Sequence, residues 1–407
     1  MGPFALNNRG QVVGFLETPP NSYRCRPFFW EDTNDNLRAD PSEIADLGVF
    51  GQGYYAGATD INEQGGVTGY SDTGYPGGIY AFYWEDVNDN GISDPCEMIN
   101  LGTLGGDVSE AHGINHSGQV VGLTYDTRQR AFLWQDRNGN RKSDPEETVD
   151  LGCLEEGGNS MASGINDAGQ IVGISAQHPF LWEDLNGNYQ TDPCEMIDLG
   201  ILAGNFGRAL DINASGQVVG ETHYPGGDNG IHAFLWEDRN HNRNSDPGEM
   251  IDLDNLGNDY SWAKAINDHG QVVGVFENRG SGDTRRAFYW DSQSGMVSLM
   301  DLLATPREWT YLMEARDINN RGEIVGWGIT TQGERRAFLM VPAIPGDMDH
   351  DLDVDVIDFA LLSEHWLETG CEQTNNWCGG GDINHQDDVG PEDLDLFVQY
   401  WLSVYQL

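Results

Sequence analysis

The sequence has few positively charged residues. Only 21 Lys and Arg stand against 66 Asp and Glu in 407 residues, which gives a formal net charge of −45. Nucleic acids and anionic membrane surfaces are bound by basic patches, so we expect neither as a partner. No apolar run approaches the ~18 residues that a membrane-spanning helix needs, and we therefore predict no membrane span. Six Cys are also too few for a fold built on disulfides.

Motifs of known catalytic sites are missing as well. The ten His residues follow no H-E-x-x-H spacing, and neither a G-x-S-x-G elbow nor a phosphate-binding loop occurs. We therefore expect a protein that is not an enzyme. The alternative is a polysaccharide-active hydrolase or lyase, for which analogy at the level of the fold is a weak argument.

Aromatic residues and glycine are abundant. The 12 Trp, 15 Tyr and 15 Phe are too many for a chain that cannot bury a core, so the acidity does not indicate disorder. The 53 Gly, with many Asn and Asp, indicate frequent tight turns and hence short strands.

Three segments repeat through most of the chain. The first has the form I-N-x-x-G-Q-V-V-G, the second A-F-[LY]-W and the third [EM]-[MI]-x-[DN]-L-G. The Asn of the first segment falls at Asn7, Asn62, Asn115, Asn166, Asn213, Asn267 and Asn319. The Leu of the third falls at Leu47, Leu101, Leu151, Leu199 and Leu253, with a looser copy around Leu302.

Each repeat of about 50 residues predicts four short strands, with an Asn-x-x-Gly turn between the first two. Four-stranded units in six or seven copies are typical of an all-β propeller, with a β-solenoid as the alternative. We count six fourth strands, which fits seven blades with one incomplete, completed across the termini, or else six blades. The apolar segments are interpreted as blade cores and not as a ligand groove, because blades bury both faces.

The repeat segments resemble the bacterial extracellular HAF repeat family. His232-Ala233-Phe234 spells its name, and Asn100 to Gly106 nearly matches its D-L-G-T-L-G-G segment. The likeness covers about Ala5 to Ala343. It implies an extracellular, propeller-like fold and nothing about a substrate.

An acidic loop lies between the third and fourth strands of five repeats. Oxygen-bearing side chains stand at positions 1, 3, 5, 9 and 12, the spacing of a calcium loop, and the lack of His and Cys favours Ca²⁺ over a transition metal. The predicted ligands are Asp32, Asn34, Asn36, Asp40 and Glu43; Asp86, Asn88, Asn90, Asp94 and Glu97; Asp136, Asn138, Asn140, Asp144 and Glu147; Asp184, Asn186, Asn188, Asp192 and Glu195; and Asp238, Asn240, Asn242, Asp246 and Glu249. The alternative is a solvated hairpin turn without metal.

Two further features of the sequence bear on the interpretation of these loops. Position 6, where calcium loops need a left-handed turn, is Gly only at Gly91; the other four loops have Leu37, Arg141, Tyr189 and Arg243. In the sixth repeat the loop shrinks to Asp291–Gly295, so the loop is an insertion that the fold does not require.

The tail after Pro345 has a different pattern. Two acidic loops, 35 residues apart, are each followed by an apolar helical pattern. The predicted ligands are Asp347, Asp349, Asp351, Asp355 and Asp358 in the first loop, and Asp382, Asn384, Asp388 and Asp393 in the second. In the second loop Gln386 replaces an acid at position 5, which weakens the expectation of calcium there.

This duplicated loop and helix resembles a type I dockerin, from about Gly346 to Leu402. The Gly-Asp-x-[DN]-x-Asp start and the Asp-Phe-Ala-Leu-Leu segment carry the likeness. It implies docking to a cohesin-like or cell-surface scaffold protein, often beside enzymes that degrade polysaccharides. Cys371 and Cys378 flank the loop between the copies, where either a disulfide or two reduced thiols would fit.

We therefore predict a secreted, calcium-binding propeller at 1–344 and a dockerin-like domain at 345–407, in a monomer. Because Met1-Gly2-Pro3 leads into the middle of a repeat, we expect the natural N-terminus, with any signal peptide, to precede it. The irregular stretch from Pro306 to Met313 is the best place for a polysaccharide contact. It contains Glu308, Trp309 and Tyr311.

Overall fold

The computed structural model divides the chain into two compact units, Met1–Met340 and Val341–Leu407. Each unit is described by itself below. The structure describes residues 2–17, 24–34, 39–74, 76–88, 90–91, 93–94, 96–224, 230–257, 259–278, 284–303, 308–342, 346, 348, 356–371, 376–379, 381–384, 386 and 388–400.

The described part of the first unit is a β-propeller of seven blades, with 27 strands. The first three blades contain β1 (Gly2–Leu6), β2 (Val12–Glu17), β3 (Cys25–Trp30) and β4 (Ile44–Asp46); β5 (Ala56–Ile61), β6 (Val67–Asp72), β7 (Ile79–Trp84) and β8 (Met98–Asn100); and β9 (Val108–Ile114), β10 (Val120–Tyr125), β11 (Gln129–Trp134) and β12 (Thr148–Asp150). The strands of each blade pair antiparallel in sequence order.

The remaining blades repeat this plan. They contain β13 (Ser160–Ile165), β14 (Ile171–Ser175), β15 (His178–Trp182) and β16 (Met196–Asp198); β17 (Gly207–Ile212), β18 (Val218–His223), β19 (Ile231–Trp236) and β20 (Met250–Asp252); β21 (Tyr260–Ile266), β22 (Val272–Glu277), β23 (Arg286–Asp291) and β24 (Gly295–Ser298); and β25 (Trp309–Ile318), β26 (Ile324–Thr330) and β27 (Arg335–Met340). The predicted propeller is thus confirmed, and the alternative of six blades is wrong.

The repeated glycines follow from the strand geometry. The Gly that ends each Asn-x-x-Gly turn has a positive φ, for example 84° at Gly65 and 82° at Gly216. The Gly of each V-V-G segment has a different role. A Cβ at Gly122 would lie 2.0 Å from the backbone oxygen of Glu110 on the neighbouring strand, so only glycine fits at the bulge of the first strand.

Apolar side chains of adjacent blades form the core between them. In one such cluster Val121, Ala131 and Leu151 of the third blade pack against Phe180 and Trp182 of the fourth. A Leu directly after each fourth strand is almost fully buried. In the sixth blade this residue is Leu299, which is 0% exposed, and not the Leu302 that the sequence pattern suggested, which is 46% exposed.

The seven repeated Asn residues form a closed ring of hydrogen bonds. Each Nδ2 donates to the backbone oxygen of the Asn in the next blade. The seven distances are 3.0 Å (Asn7 to Asn62), 3.0 Å (Asn62 to Asn115), 3.1 Å (Asn115 to Asn166), 3.0 Å (Asn166 to Asn213), 3.0 Å (Asn213 to Asn267), 2.9 Å (Asn267 to Asn319) and 3.0 Å (Asn319 to Asn7). These residues are only 3–7% exposed.

The last of these bonds closes the propeller between its first and last blades. Two further bonds join these blades, from Leu6 N to Asp317 Oδ2 (2.8 Å) and from Asn320 N to Asn8 Oδ1 (2.7 Å). In the described residues, the first sheet contains only β1–β4 and the last only β25–β27. The ring therefore closes without a sheet that combines both ends of the chain, contrary to the expectation of a blade completed across the termini.

The described part of the second unit contains three short helices: α1 (Val356–Glu364), α2 (Asn376–Gly379) and α3 (Pro391–Tyr400). Leu362 of α1 and Phe397 of α3 share a small core with Val389 and the disulfide between Cys371 and Cys378. No helix of the described residues is long and apolar enough to cross a membrane.

Replacement of Asn166 by alanine tests the Asn ring. The Asn166 amide donates to Asn213 O and Gln170 Oε1 and accepts from two backbone N–H groups, so its loss leaves several buried groups without partners. Each such group costs about 1–3 kcal/mol. We expect Asn166→Ala to lower the free energy of unfolding in urea by at least about 2 kcal/mol. The control Ala168→Ser, at an exposed position of the same turn, should stay within about 0.5 kcal/mol of wild type, and equal effects of the two changes would contradict this role.

Candidate functional site

The five acidic loops lie at the same end of the propeller as the Asn turns. Each third strand runs antiparallel to the second and so returns to the end where the Asn turn begins. We call this end the loop end, and the end with the connections between blades the opposite end. The predicted strands on both sides of each loop are confirmed, for example β7 and β8 around Asp86–Glu97.

The loop backbone wraps around its first and last predicted ligands. In the second blade Asp86 accepts hydrogen bonds from the backbone N–H of Asn90 and Gly91, at 3.2 and 2.7 Å. Glu97 accepts from the N–H of Val87 and of Asp94, at 3.2 and 2.7 Å. The same four contacts recur in the third, fourth and fifth blades.

The closing glutamates are buried although they are charged residues on hairpin tips. Their exposed fractions are 9% for Glu43, 1% for Glu97, 4% for Glu147, 1% for Glu195 and 4% for Glu249. A buried carboxylate is stable only with strong partners, so backbone N–H groups or a cation must balance it. This burial gives each loop a fixed carboxylate that faces the other ligands.

The Asn side chains at positions 3 and 5 converge on the Asp at position 9. Asn88 and Asn90 both donate to Asp94 Oδ2, at 2.8 Å each. Equivalent pairs meet Asp144, Asp192 and Asp246. These amide contacts hold the pKa of Asp94 below its ordinary value, and they do the same for Asp144 and Asp246. The carboxylates therefore stay ionised, and a turn of each amide would direct its oxygen to the same point.

The loops thus hold carboxylate groups next to amide groups, and oxygen atoms of both kinds are ligands that calcium prefers. Among the described residues, no three His, Cys, Asp or Glu side chains are grouped so that they could hold a metal ion. In the first loop Asp32, Asn34, Asp40 and Glu43 are described, whereas Asn36 and Leu37 lie outside the described residues.

Position 6 has the left-handed backbone that the calcium-loop pattern predicts, even where it is not glycine. The φ angles are 69° at Gly91, 57° at Arg141, 57° at Tyr189 and 58° at Arg243. The non-glycine residues in this strained region make contacts that glycine cannot.

These side chains link the loops of neighbouring blades. Arg141 Nη1 lies 2.6 Å from Glu85 Oε2, and its Nη2 donates to the backbone oxygen of Glu97 at 3.3 Å. Arg243 makes the same two contacts with Glu183 and with Glu195, one blade earlier in the chain. The loops of the second and third blades, and those of the fourth and fifth, are thereby connected.

An aromatic contact connects the third and fourth loops. The guanidinium of Arg137 lies 4.7 Å from the ring centre of Tyr189, a cation–π distance. Four of the five loops consequently form one continuous belt, in which the position of each loop depends on its neighbour. The sequence showed these residues only as departures from glycine.

A funnel of about 230 Å³ opens at the loop end, lined by the Asn ring and by acidic residues that include Asp60 and Asp317. Asp60, Asp317 and the equivalent Asp211 join neighbouring blades, and sequence analysis missed them among 66 acidic residues. Each accepts a hydrogen bond from the next residue in its own strand and another from the adjacent blade, as Asp211 does from Ile212 and Ile266 at 2.8 Å each. They therefore tie neighbouring blades together near the axis.

Burial raises the pKa of all three carboxyl groups, and their mutual repulsion adds to the effect for Asp60 and Asp211. The pKa is about 7 for Asp211 and about 6 for Asp317, and that of Asp60 lies well above its ordinary value. These groups consequently take up protons in the folded state at a pH where they are ionised in the unfolded chain.

The predicted polysaccharide contact lies at the opposite end. Trp309 begins β25 and packs edge-on against Phe338, with ring centres 6.0 Å apart, while Glu308 is exposed. The Arg286 guanidinium covers Tyr311 at 3.9 Å. Part of this stretch, 306–307, lies outside the described residues.

In the second unit three of the described ligand candidates are buried. Asp358 is 0% exposed, and Asp382 and Asp393 are each 1% exposed. Asn384 Oδ1 is buried and has no hydrogen-bond partner, which is costly unless it faces a donor or a cation. Asp388 is exposed, and Asp347, Asp349, Asp351 and Asp355 lie outside the described residues.

The helices α1 and α3 contact each other through apolar side chains. Phe359 of α1 lies 5.9 Å from Phe397 of α3, measured between ring centres, and Leu362 is buried beside Phe397. Trp366 is 38% exposed and follows the end of α1 at Glu364. Trp401 lies outside the described residues.

Comparison with known proteins supports the fold and gives no function. Residues 203–339 match a family described as a protein of unknown function, DUF3466. No curated protein sequence matches the chain. Among solved structures, the β-propeller domain of the Trilobed protease from Pyrococcus furiosus, described as having an open velcro topology, is similar with a TM-score of 0.51 and 10% identity, over 83% of this chain and 94% of that one. A lectin of Aleuria aurantia in complex with Fucα1-6GlcNAc gives 0.35 and 10%, over 84% and 92%.

The raised pKa values of the axial carboxyl groups predict the pH dependence of stability. Because the folded state binds their protons more tightly than the unfolded chain, the stabilisation is complete below about pH 4 and is lost as the pH rises to about 7. Asp211→Asn should remove part of this decline in the free energy of unfolding, measured in urea from pH 4 to pH 8. Asp107→Asn removes the same charge at the opposite end and should leave the slope unchanged; if both variants retain the wild-type slope, the axial groups do not cause it.

Proposed function

We propose that the protein is a secreted, non-enzymatic β-propeller that calcium stabilises and that a dockerin-like tail attaches to a scaffold. One observation carries this proposal: five hairpin loops share the same spacing of oxygen-bearing residues in the sequence, and each ends in a buried glutamate. An Asx turn needs only the first of these residues. The recurrence of positions 3, 5, 9 and 12, together with a buried glutamate, favours a bound cation.

Calcium suits these loops better than other common metals. The donors are carboxylate and amide oxygens on a flexible loop, whereas zinc and copper prefer His and Cys, and magnesium demands a stricter octahedral geometry. At a free calcium concentration of ten times Kd, each site would contribute about 1.4 kcal/mol, so five would contribute about 7 kcal/mol. This is comparable with the whole stability of an ordinary domain, about 5–15 kcal/mol.

An extracellular location fits both units. Calcium loops with weak affinity, Kd of about 10⁻⁴–10⁻³ M, are filled only where calcium is abundant, which is outside the cell. Disulfides such as Cys371–Cys378 also persist in an oxidising environment. The resemblance to the extracellular HAF repeat family points the same way.

A polysaccharide is the ligand class that we propose for the propeller itself. Several tyrosines are exposed at the opposite end of the blades, among them Tyr54, Tyr55, Tyr125 and Tyr224 at 41–51% exposure. An exposed phenol ring offers both an apolar face and a hydroxyl group, which suits a sugar ring with its polar rim. The resemblance of the tail to dockerins, which often accompany polysaccharide-degrading enzymes, supports the same class.

Titration with calcium tests the blade loops. We expect about five Ca²⁺ from the propeller, in addition to any held by the tail, and a rise in melting temperature on binding. Glu97→Gln removes a buried carboxylate ligand and should cost one site per chain by isothermal titration. The control Glu156→Gln changes an exposed acid outside the loops and should keep every site. A melting temperature that does not respond to calcium would rule out the metal in these loops.

Calcium should also order the tail. Asp382→Ala removes a buried oxygen beside Asn384, so we expect it to abolish one of the tail's calcium sites and to prevent capture of the full chain by cohesin-like scaffold proteins. Gln386→Asp restores an acid at position 5 and should tighten the same site. Capture by such scaffolds that is equal with calcium and with a chelator, in wild type and Asp382→Ala alike, would exclude a calcium-dependent docking module.

A further inference from the structure

One residue in the first strand of every blade lies in a β-bulge, where the pairing register with the second strand shifts. A bulge redirects the side chain that it contains. Thr59 Oγ1 donates to Ala111 O at 2.8 Å, and His112 Nδ1 lies 2.8 Å from Ala162 O, so this position faces the first strand of the next blade. The seven bulge residues are Phe4, Thr59, His112, Ser163, Leu210, Lys264 and Arg316.

The bulge residues of the sixth and seventh blades are cations that share one carboxylate. Glu314 Oε1 lies 3.0 Å from Arg316 Nε and 4.0 Å from Lys264 Nζ. Its other oxygen, Oε2, accepts a hydrogen bond from Trp327 Nε1 at 3.3 Å. One carboxylate thus holds two cations from adjacent blades, whereas the repeat places uncharged side chains or a His at the other bulges.

A second ion pair extends this cluster into the fifth blade. Arg208 Nε lies 2.5 Å from Glu221 Oε1, and the charges of both residues act on Lys264, as those of Glu314 and Arg316 do. A fourth cation, Arg335, covers the Trp327 ring at 3.5 Å. Four cations against two carboxylates give the cluster a net charge of +2, in a chain whose formal charge is −45.

The cations are the exposed part of the cluster. The exposed fractions of the side chains are 22% for Lys264, 31% for Arg316 and 32% for Arg208, against 6% for Glu314 and 4% for Glu221. An approaching molecule therefore meets ammonium and guanidinium groups first, so the cluster suits a ligand with a negative charge. Guanidinium groups bind carboxylate, sulfate and phosphate oxygens with two parallel hydrogen bonds.

Aromatic rings and one buried oxygen suggest that this ligand is a sugar. Tyr260 and Trp262 precede Lys264 on its strand, and their rings are stacked with centres 5.5 Å apart. Such rings offer apolar faces for a sugar ring. Within the described part of the chain, the buried Glu221 Oε2 has no hydrogen-bond partner. A buried oxygen without a donor is costly, and a sugar hydroxyl group would supply one.

We propose that the cluster of Arg208, Lys264, Arg316 and Arg335 binds an acidic sugar, whose carboxylate or sulfate group pairs with the cations. This proposal rests on the polysaccharide role proposed above and narrows it to anionic glycans. The acidic surface of the protein repels a long polyanion, but salt screens this repulsion beyond about 8 Å under physiological conditions. A short oligosaccharide or the end of a chain is therefore the expected ligand.

Isothermal titration of the full chain at constant calcium tests the charge of the ligand. The probes are trigalacturonate, its neutral methyl ester and a sulfated galactose trisaccharide. We expect one saturable site for an acidic trisaccharide and at least tenfold weaker binding of the ester, because the ester cannot form charge-assisted hydrogen bonds. Binding of the carboxylated or of the sulfated probe tells which acidic group the site takes. Equal binding of trigalacturonate and its ester would keep a polysaccharide role and refute the acidic site, and no binding of either acidic probe would overturn it.

The chain offers a matched control for the site, because Lys264 and Lys142 are its only lysines. Lys264→Gln should weaken binding of the acidic trisaccharide at least tenfold, and Lys264→Arg, which keeps the charge, should retain most of the affinity. Lys142→Gln changes an exposed lysine of the third acidic loop and should bind as the wild type does.

Arg335→Gln keeps the test decisive if Lys264→Gln does not fold. Arg335 is exposed, so this variant should keep the wild-type melting temperature while it weakens binding of the acidic trisaccharide about three- to tenfold. Wild-type affinity in Arg335→Gln and in a folded Lys264→Gln would place the sugar elsewhere on the protein and refute this site, whether or not binding needs calcium.

Discussion

The ring of asparagine side chains fixes the architecture of the propeller. Six of the seven amides use both of their donors and both lone pairs of the oxygen, as Asn213 does with Asn267, Gln217 and its own turn. At Asn62, where Gly66 stands in place of the Gln or Glu of the other repeats, the amide donates to Asn115 O. A buried amide is costly if any of these groups lacks a partner, so each Asn requires a backbone carbonyl oxygen at the same height in the next blade. Every Asn finds such a partner only if the ring of blades is closed, and here the closed ring has seven blades.

This constraint explains why the first and last blades can join without sharing a sheet. A propeller must resist opening at the seam between its two ends, and a shared sheet would do so with a ladder of backbone hydrogen bonds. Here Asn319, Asp317 and Asn320 provide the bonds across the seam. Farther from the axis, Val325 of the last blade packs in one apolar cluster with Leu6, Val12, Phe28 and Trp30 of the first.

A second level of connection runs through the loops. Arg141, Arg243 and the Arg137–Tyr189 pair join four of the loops into a belt, so a change in one loop is passed to the next by direct contact. Under the proposed function, calcium would tighten the belt at the same end as the Asn ring. The left-handed backbone at position 6 is strained for residues other than glycine. This strain is the cost of placing there a side chain that contacts the neighbouring loop, which glycine lacks.

The sequence predicted the regular features well and the irregular ones poorly. Strands, turns and loop insertions were visible because the repeat presents them several times in nearly equal form. The Asn ring was hidden, since Asn before x-x-Gly is also a common turn residue and single-chain patterns do not show a contact 50 residues away. Asp60, Asp211 and Asp317 were hidden by the abundance of acids, and Leu299 was misplaced as Leu302 because the sixth repeat lacks the loop that sets the register.

Hydrogen exchange of the backbone amides, with calcium and with a chelator, tests the central claim most directly. The account predicts that calcium slows exchange in all five loops, for example across Asp86–Glu97, and leaves the short hairpin Asp291–Gly295 of the sixth blade unchanged. Exchange that is the same in the five loops with and without calcium, or that slows equally in the sixth hairpin, would contradict it.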